Sequence, residues 1–420
     1  MRYVRVRPFT TAVKSAAPLL LTSATAAALA EAGFWPGVVE RYAVRQAARP
    51  QKVKAYRELL ELGVLDAATE DYASGALVMA RPARRQINRS GGRKKTVYLF
   101  PPREDLFLKG LNRILQRLTD LHSPLCHSFQ PGRGVRTAYA ALKQIPDLGR
   151  LSCLHVDVRD YFASIPPERM LAAVPDPLRD DGPFMALLRE ILCDPDGERR
   201  GVLAGSPLAP LLSNLYLRPL DDGFEAAGTP YLRYADDLIV FGEAESIPAL
   251  QAEITLRLGE LALELNPRKT QLSGPGGGWE FLGLRYDRGS LDLSSTTVAK
   301  MHHRVRRLAR RARHLDDPAR YVVRRLNRKL YGFGGDASDF TWATWFFPLI
   351  GSDVTLRRLD GVIQEQLRFA TTGRHERRNR GALPYAALVE RGYLPLASAF
   401  RAFRRGPGEY EALVGRRLGA

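Results

Sequence analysis

Leu154–Ile165 reads LHVDVRDYFASI and Thr229–Gly242 reads TPYLRYADDLIVFG, and these two stretches decide the fold. In the first, the apolar run Leu151–Val158 carries Asp157 near its end. In the second, the apolar runs Tyr231–Tyr234 and Leu238–Phe241 flank Tyr-Ala-Asp-Asp, which predicts two short strands around a turn with Asp236 and Asp237 at its tip. Neighbouring carboxylates repel each other and are costly to pack, and a divalent cation between them removes both problems. The four letters alone would also suit a surface turn. Asp157, on a separate strand, is the third carboxylate that a two-metal site requires. In such a site one ion activates a hydroxyl and the other holds a triphosphate and its leaving pyrophosphate.

Outward from these strands the chain divides into three parts: a helical extension over 1–80, a mixed strand and helix region over 81–295, and a basic helical region over 296–420. In the first part Arg41–Leu60 has charged residues on one side and apolar ones on the other, as in an amphipathic helix. The Ala-rich run Ala16–Ala30 is too short to span a bilayer and is followed at once by Glu31, so it is expected to be a packing helix rather than a signal or membrane segment. Arg81–Lys95, RPARRQINRSGGRKK, predicts a basic hairpin or loop leading into a strand over Thr96–Phe100. Helices are expected over Asp105–Leu121, Leu211–Leu220 and Ile247–Leu263, and a further strand over Phe281–Tyr286.

From Met301 to Leu330 there are eleven Arg or Lys against two acidic residues, Asp316 and Asp317, at helical spacing. A solvated face would account for such a run, but its position after the strand region favours a helix that contacts nucleic acid, with Arg304, Arg307, Arg310 and Arg311 tracking a phosphate backbone. His302 and His303 belong to that basic face rather than to a metal site. Trp342, Trp345, Phe346 and Phe347 are expected to be core. Over the whole chain 63 Lys and Arg oppose 45 Asp and Glu, a formal net charge of +18, which suits a polyanionic partner. The 45% hydrophobic content excludes a mostly disordered chain. The three cysteines, Cys126, Cys153 and Cys193, are too scattered for a zinc ribbon or disulfide framework, and a reducing cytoplasm fits them.

Several blocks, in order, resemble the reverse-transcriptase family. GRKKTVYLFPPRED (92–105) and SFQPGRGVRTA (128–138) are similar to its two fingers blocks, and HVDVRDYFASI (155–165) to the block with the first catalytic aspartate. GVLAGSPLAPLLSNLYLRPLD (201–221) resembles the block that supports template and incoming nucleotide. YADD (234–237) resembles the metal box, LNPRKT (265–270) the block after it, and WEFLGLRY (279–286) the primer-grip hairpin. The resemblance implies an α+β right hand: fingers, a palm of antiparallel sheet with helices on one face, and a helical thumb. It implies that Asp157, Asp236 and Asp237, with the backbone carbonyl of Val158, bind two Mg²⁺ ions, with Mn²⁺ as a chemical substitute. Phe162 would block a ribose 2′-hydroxyl and so favour dNTPs. Lys94, Lys95 and Arg133 are candidates for the triphosphate, Gly205 and Ser206 for the nascent base pair, Lys269 for phosphates or primer backbone, and Phe281, Leu282 and Gly283 for gripping the primer. Two positions depart from the family pattern: Leu203-Ala204-Gly205 stands where Pro-Gln-Gly is common, and Gln130 where Arg is common.

The Asn-Ala-x-x-His and Val-Thr-Gly motifs of retron enzymes are missing, as are an RNase H-like region and the paired cysteines of an HNH domain. LNRKLYGFGG (326–335), WFFPLIGSDVTLRRLDGVIQEQLR (345–368) and PYAALVERGYLPL (384–396) are similar to the thumbs of group II intron-like bacterial enzymes and of stand-alone enzymes of antiphage defence. The favoured expectation is therefore a stand-alone defence-associated reverse transcriptase with RNA template, a dedicated non-coding RNA, dNTPs and DNA product as partners, no membrane, and oligomerisation left open. The alternatives are a maturase-like RNA-binding protein, an RNA-dependent RNA polymerase, for which a smaller or polar residue is expected at the position of Phe162, and a non-catalytic scaffold.

Overall fold

The computed structural model describes residues 23–45, 50–88, 94–192, 201–332, 341–376 and 378–418. The first part of the Ala-rich run, the tip of the basic hairpin, Cys193 and the glycines after Gly332 in the LNRKLYGFGG block lie outside these residues. Four helices open the described chain: α1 (Ala24–Leu29), α2 (Phe34–Arg45), α3 (Pro50–Glu61) and α4 (Val64–Ala73). The amphipathic stretch expected as one helix over 41–60 is thus two. Pro50 starts the second, at a position where its missing N–H is not needed.

These helices pack on α5 (Pro102–Leu115). This helix begins at Pro102 and ends at Leu115, short of the expected Leu121, and Thr119–Leu121 forms a separate 3₁₀ turn. Asp105 on α5 accepts a hydrogen bond from the Tyr56 hydroxyl and pairs with Lys52 at 2.5 Å and Lys109 at 2.6 Å, so one buried carboxylate ties α3 to α5. Gly110 allows the closest approach. A Cβ there would lie 2.3 Å from the Trp35 ring of α2.

The basic hairpin forms as expected, from β1 (Ala83–Asn88) and β2 (Lys94–Leu99), antiparallel with Arg85 opposite Val97. The second strand starts at Lys94 rather than Thr96. The Tyr98 N–H donates to the Ala204 carbonyl at 2.8 Å, joining this hairpin to the 201–221 block.

The central sheet contains β3 (Ser152–Asp157), β4 (Tyr231–Tyr234), β5 (Asp237–Gly242) and β6 (Gln271–Ser273), in the order β4-β5-β3-β6 with every pairing antiparallel. The short β6 was not expected. Successive strand residues face opposite sides, and here both sides are used. Leu154, Val156, Tyr231, Leu238 and Val240 join the core formed with the N-terminal helices and with Ala209–Tyr216, Arg218–Ala227 and Ile247–Glu260. Cys153, Leu232, Ile239 and Phe241 join a second core, with α6 (Val135–Leu142) and the C-terminal helices. The central sheet therefore has packing on both faces, not one. A strand buried on one side only would expose a row of Leu, Ile and Phe. The helix expected over 211–220 is two, because Pro219 stands at the start of the second.

The strand expected over Phe281–Tyr286 is a turn between two strands. β7 (Trp279–Phe281), β8 (Leu284–Asp287) and β9 (Ser290–Leu293) make a meander, and Leu282 (φ 47°) and Gly283 (φ 85°) turn the chain between the first two. The basic region forms the helices Ser295–Ala312 and Pro318–Tyr331. Met301, Val305, Ala309 and Ala312 line the buried face of the first. Trp342, Phe346 and Phe347 are buried, as expected. Asp360 on Val354–Thr372 accepts the backbone N–H groups of Leu396 (2.8 Å) and Ala397 (3.0 Å), capping Leu396–Arg405 from a neighbouring helix. Among the described residues no helix is long and apolar enough to cross a membrane.

Gly110→Ala tests how the N-terminal helices dock. It should lower stability by about 1–3 kcal/mol through overpacking against Trp35, read as a lower denaturant midpoint, and should make cleavage within α1–α4 faster under limited proteolysis.

Candidate active site

The sheet brings the predicted carboxylates together by register. Asp157, last in β3, lies directly opposite Asp237, first in β5, and Tyr234, last in β4, is also opposite Asp237. Asp236 is on the turn between β4 and β5, and its carbonyl accepts the Val158 N–H at 3.2 Å. Alternation places Cys153, His155 and Asp157 on one face of β3, the face that looks toward the β7–β9 meander. Asp157 is buried, at 4% exposure. Burial raises the Asp236 carboxyl first, and like-charge repulsion from Asp157 and Asp237 adds to it, pushing it up to about 6.

Lys269 lies at the same point. Its Nζ is 2.6 Å from Asp157 Oδ2, and Asn266 Nδ2 donates to Oδ1 at 3.2 Å. Both residues come from the LNPRKT block, whose backbone is also fixed to the strand end. The Asn266 N–H donates to the Asp157 carbonyl at 2.8 Å. Among the described residues no three Asp, Glu, His or Cys side chains already converge as a metal cage. The chemistry of the donor set nevertheless fits a cation. Among the described residues neither Asp236 nor Asp237 forms an ion pair with a lysine, although the Lys269 charge reaches Asp236, and Asp157 already uses that ammonium as counter-charge. Lys269 would have to leave Asp157 for a metal ion to replace it. His155 adds a neighbour that sequence reading passed over. Its Nε2 is 3.5 Å from Asp237 Oδ1, its ring meets Phe281 edge-on at 5.5 Å, and among the described residues neither buried ring nitrogen has a hydrogen bond.

The Tyr-Ala-Asp-Asp turn is held from beneath by a network that sequence reading also missed. Ala235 has a left-handed backbone (φ 58°). Its N–H donates to Ser128 Oγ at 2.7 Å and its carbonyl accepts from Arg233 Nη1 at 3.2 Å. Arg233 is fully buried and forks onto the equally buried Asp221, with Nε to Oδ1 at 2.8 Å. Arg233 Nη1 also donates to Asn214 Oδ1 at 3.1 Å, and that oxygen accepts the Ser128 hydroxyl at 3.2 Å. The loop Arg233–Asn214–Ser128–Ala235 is thereby closed. An Arg inside the apolar run of β4, one residue before the motif, was the available signal, since a buried charge must find a partner.

The remaining candidates divide. Lys95 and Phe162 meet, with Nζ 5.4 Å from the ring centroid, and the ring is half-buried. Lys94 is exposed on the same strand. Arg133 Nη1 donates to the carbonyls of Pro124 and Cys126. Gly205 (φ 112°) makes its close approach to protein, since a Cβ there would lie 2.4 Å from the Tyr98 carbonyl oxygen. Ser206 is buried, and its hydroxyl accepts the Leu208 N–H at the start of the next helix. Phe281 is buried and its carbonyl accepts the Tyr139 hydroxyl, whereas Leu282 and Gly283 are half-exposed. Arg304, Arg307, Arg310 and Arg311 are all exposed on one helix, and no ion pair to any of them is formed among the described residues. Gly201 was overlooked. A Cβ on it would lie 2.3 Å from the Phe162 carbonyl oxygen, so it sets how closely the 201–221 block backs the Phe162 segment.

Comparison with known proteins agrees with the sequence resemblance. Residues 104–286 match the family described as reverse transcriptase (RNA-dependent DNA polymerase). The retron Mx65 reverse transcriptase of Myxococcus xanthus is 28% identical over 181 residues, covering 39% of this chain and 41% of that protein. An uncharacterized 91 kDa protein in the cob intron of Schizosaccharomyces pombe is 26% identical over 176 residues, covering 40% of this chain and 21% of that protein. The chain thus spans less than half the length of these relatives. The retron similarity is notable because two retron motifs are missing here. Among solved structures, apo telomerase from Candida tropicalis aligns at 11% identity with a TM-score of 0.40, over 52% of this chain and 56% of that one. Telomerase from Candida albicans with a TWJ fragment of telomeric RNA aligns at 12% with a TM-score of 0.41, over 78% and 65%. These two likenesses are too loose to carry an argument.

Arg233→Met should destabilise the protein by about 3–5 kcal/mol, because it leaves Asp221 charged and buried without a partner. Adding Asp221→Leu should recover part of that loss. Thermal unfolding of the single and double variants measures both.

Proposed function

Since residues 104–286 match the reverse transcriptase family, we propose that this protein is an RNA-directed DNA polymerase whose reaction centre is Asp157, Asp236 and Asp237. The observation that carries the proposal is the register that sets Asp157 opposite Asp237 and beside the Asp236 turn. Divalent cations, Mg²⁺ first among them, would be held by these carboxylates and the Val158 carbonyl, and bound there would supply activation of a primer 3′-hydroxyl and neutralisation of triphosphate charge. Phe162 offers its half-buried ring to the sugar of an incoming nucleotide, and Lys95, above that ring, is placed for its phosphates. Lys269, released from Asp157, is the nearest cation for the phosphates as they leave. Leu282 and Gly283 face the primer strand, and the exposed arginines of Ser295–Ala312 face the backbone behind it. Residues 1–80, 81–295 and 296–420 act in this reading as extension, fingers with palm, and thumb.

In its finer form the proposal is a stand-alone cytoplasmic enzyme that copies a dedicated non-coding RNA in antiphage defence, supported by the thumb-like sequence blocks and the +18 charge. A second reading, an intron-related RNA-binding role, is favoured by the similarity to a protein encoded in an intron.

Extension of a labelled primer on an RNA template, with Mg²⁺ and either dNTPs or rNTPs, decides between them. The polymerase reading expects extension with dNTPs and none from Asp236→Asn. An intron-related role without polymerisation expects RNA binding that survives Asp236→Asn and no extension by either protein. For the thumb, replacing Arg304, Arg307, Arg310 and Arg311 together by Ala should lower the slope of log affinity against log salt by about 2–4, in proportion to the number of phosphates these arginines neutralise. Binding titrations across salt concentrations measure it, and an unchanged slope would place the nucleic acid elsewhere.

A further inference from the structure

Phe129 combines three features that rarely occur together. It is a bulky aromatic residue with a left-handed backbone (φ 53°), and it is 45% exposed. It also lies between two buried anchors. Ser128 before it bonds through Oγ to the Ala235 N–H and through its carbonyl to Asn214 Nδ2 at 2.7 Å. Gln130 after it donates to the Ser123 carbonyl at 3.2 Å. The Phe129 carbonyl is itself held by Gln116 Nε2 at 2.9 Å. The surrounding bonds therefore force the left-handed conformation, which is disfavoured for any side chain with a Cβ and best suited to glycine. The ring gains little inside the protein in return. Its one aromatic neighbour among the described residues is Tyr234, at 6.4 Å between centroids and 48° between planes. Strain kept at an exposed apolar side chain is characteristic of ligand contact.

Tyr234 identifies the ligand. It is opposite Asp237 in the sheet and begins the motif that carries two of the carboxylates. Whatever strand presents its end to Asp157, Asp236 and Asp237 must run past Tyr234. We propose that Phe129 and Tyr234 form an aromatic ledge on which the last base pairs of the template–primer duplex pack, so that Phe129 is a binding residue for duplex nucleic acid. The inference rests on the polymerase reading for the identity of that duplex. A ring contact of this kind tolerates any sequence, because the sugars that line a groove of the duplex are the same at every base pair. Ser128 couples the ledge to the reaction centre, since its side chain holds the Ala235 turn and its peptide leads directly into Phe129.

The test uses the full chain with Phe129→Gly and Phe129→Trp. Glycine removes both the ring and the strain, whereas tryptophan keeps a ring. Anisotropy of a fluorescent RNA–DNA duplex, in EDTA and without nucleotide, reads binding independently of catalysis. Phe129→Gly is expected to weaken duplex binding roughly tenfold, the scale of losing the apolar contact of one aromatic ring, while its melting temperature is unchanged or higher. Phe129→Trp is expected to restore binding to near the wild-type level. Unchanged duplex affinity in Phe129→Gly overturns the proposal. So does a fall in its melting temperature, which would make the ring a structural one. The same preparations assayed for dNTP extension separate the two claims. A wild-type protein that extends primers while Phe129→Gly binds duplex normally sinks the ledge alone, and one that extends nothing sinks the polymerase reading whatever the binding result.

Discussion

The Tyr-Ala-Asp-Asp turn depends on an ion pair that never reaches solvent. Arg233 and Asp221 are both fully buried and joined by a two-pronged contact. A buried pair of this kind contributes little net stability compared with apolar residues of the same volume, because desolvation offsets most of the attraction. What the pair does supply is a rigid guanidinium at a defined place. One of its nitrogens reaches the Ala235 carbonyl and another reaches Asn214, and Asn214 in turn holds Ser128, which receives the Ala235 N–H. Strand alternation puts Arg233 on the opposite face of the sheet from Tyr234 and Asp237. The charge that organises the turn is thus kept apart from the charges the turn displays.

Much of this could be read from residue order. The β4–β5 hairpin, the strand ending at Asp157, the basic hairpin and the basic helices all announced themselves through period and punctuation. Local patterns of that kind survive folding because each element makes them by itself. Errors arose where a single residue overrides the pattern: Pro50 and Pro219 divide runs that read as continuous helices, and Leu282-Gly283 turns a run that reads as a strand. The site followed the same rule. The three aspartates are contiguous with strong local patterns. Arg133, Ser206 and Phe281 are held by partners that residue order did not announce, namely carbonyls of the 124–126 loop, the start of the next helix, and Tyr139. Arg233, Asn214 and Ser128 were invisible because a closed hydrogen-bond loop across three chain segments has no periodicity.

The Lys269–Asp157 contact gives the buried carboxylate its counter-charge. Three carboxylates near one another favour protonation of one of them, as Asp236 indicates, unless positive charge is close. An ammonium on a flexible stem supplies that charge and can also withdraw, which a guanidinium locked in two prongs cannot do as readily. The chain uses each cation accordingly, arginine beneath the turn and lysine above the strand end.

The four-stranded sheet is a wall shared by two cores, with Leu154 and Val240 facing one and Cys153 and Phe241 facing the other. Neither core can loosen without uncovering strands that the other still needs. Opening of either half is thereby coupled to opening of the other, and the amide hydrogens of β3 and β5 should be among the slowest in the molecule to exchange with solvent. The carboxylates are at the end of that wall, on backbone that local fluctuations in the peripheral helices leave undisturbed.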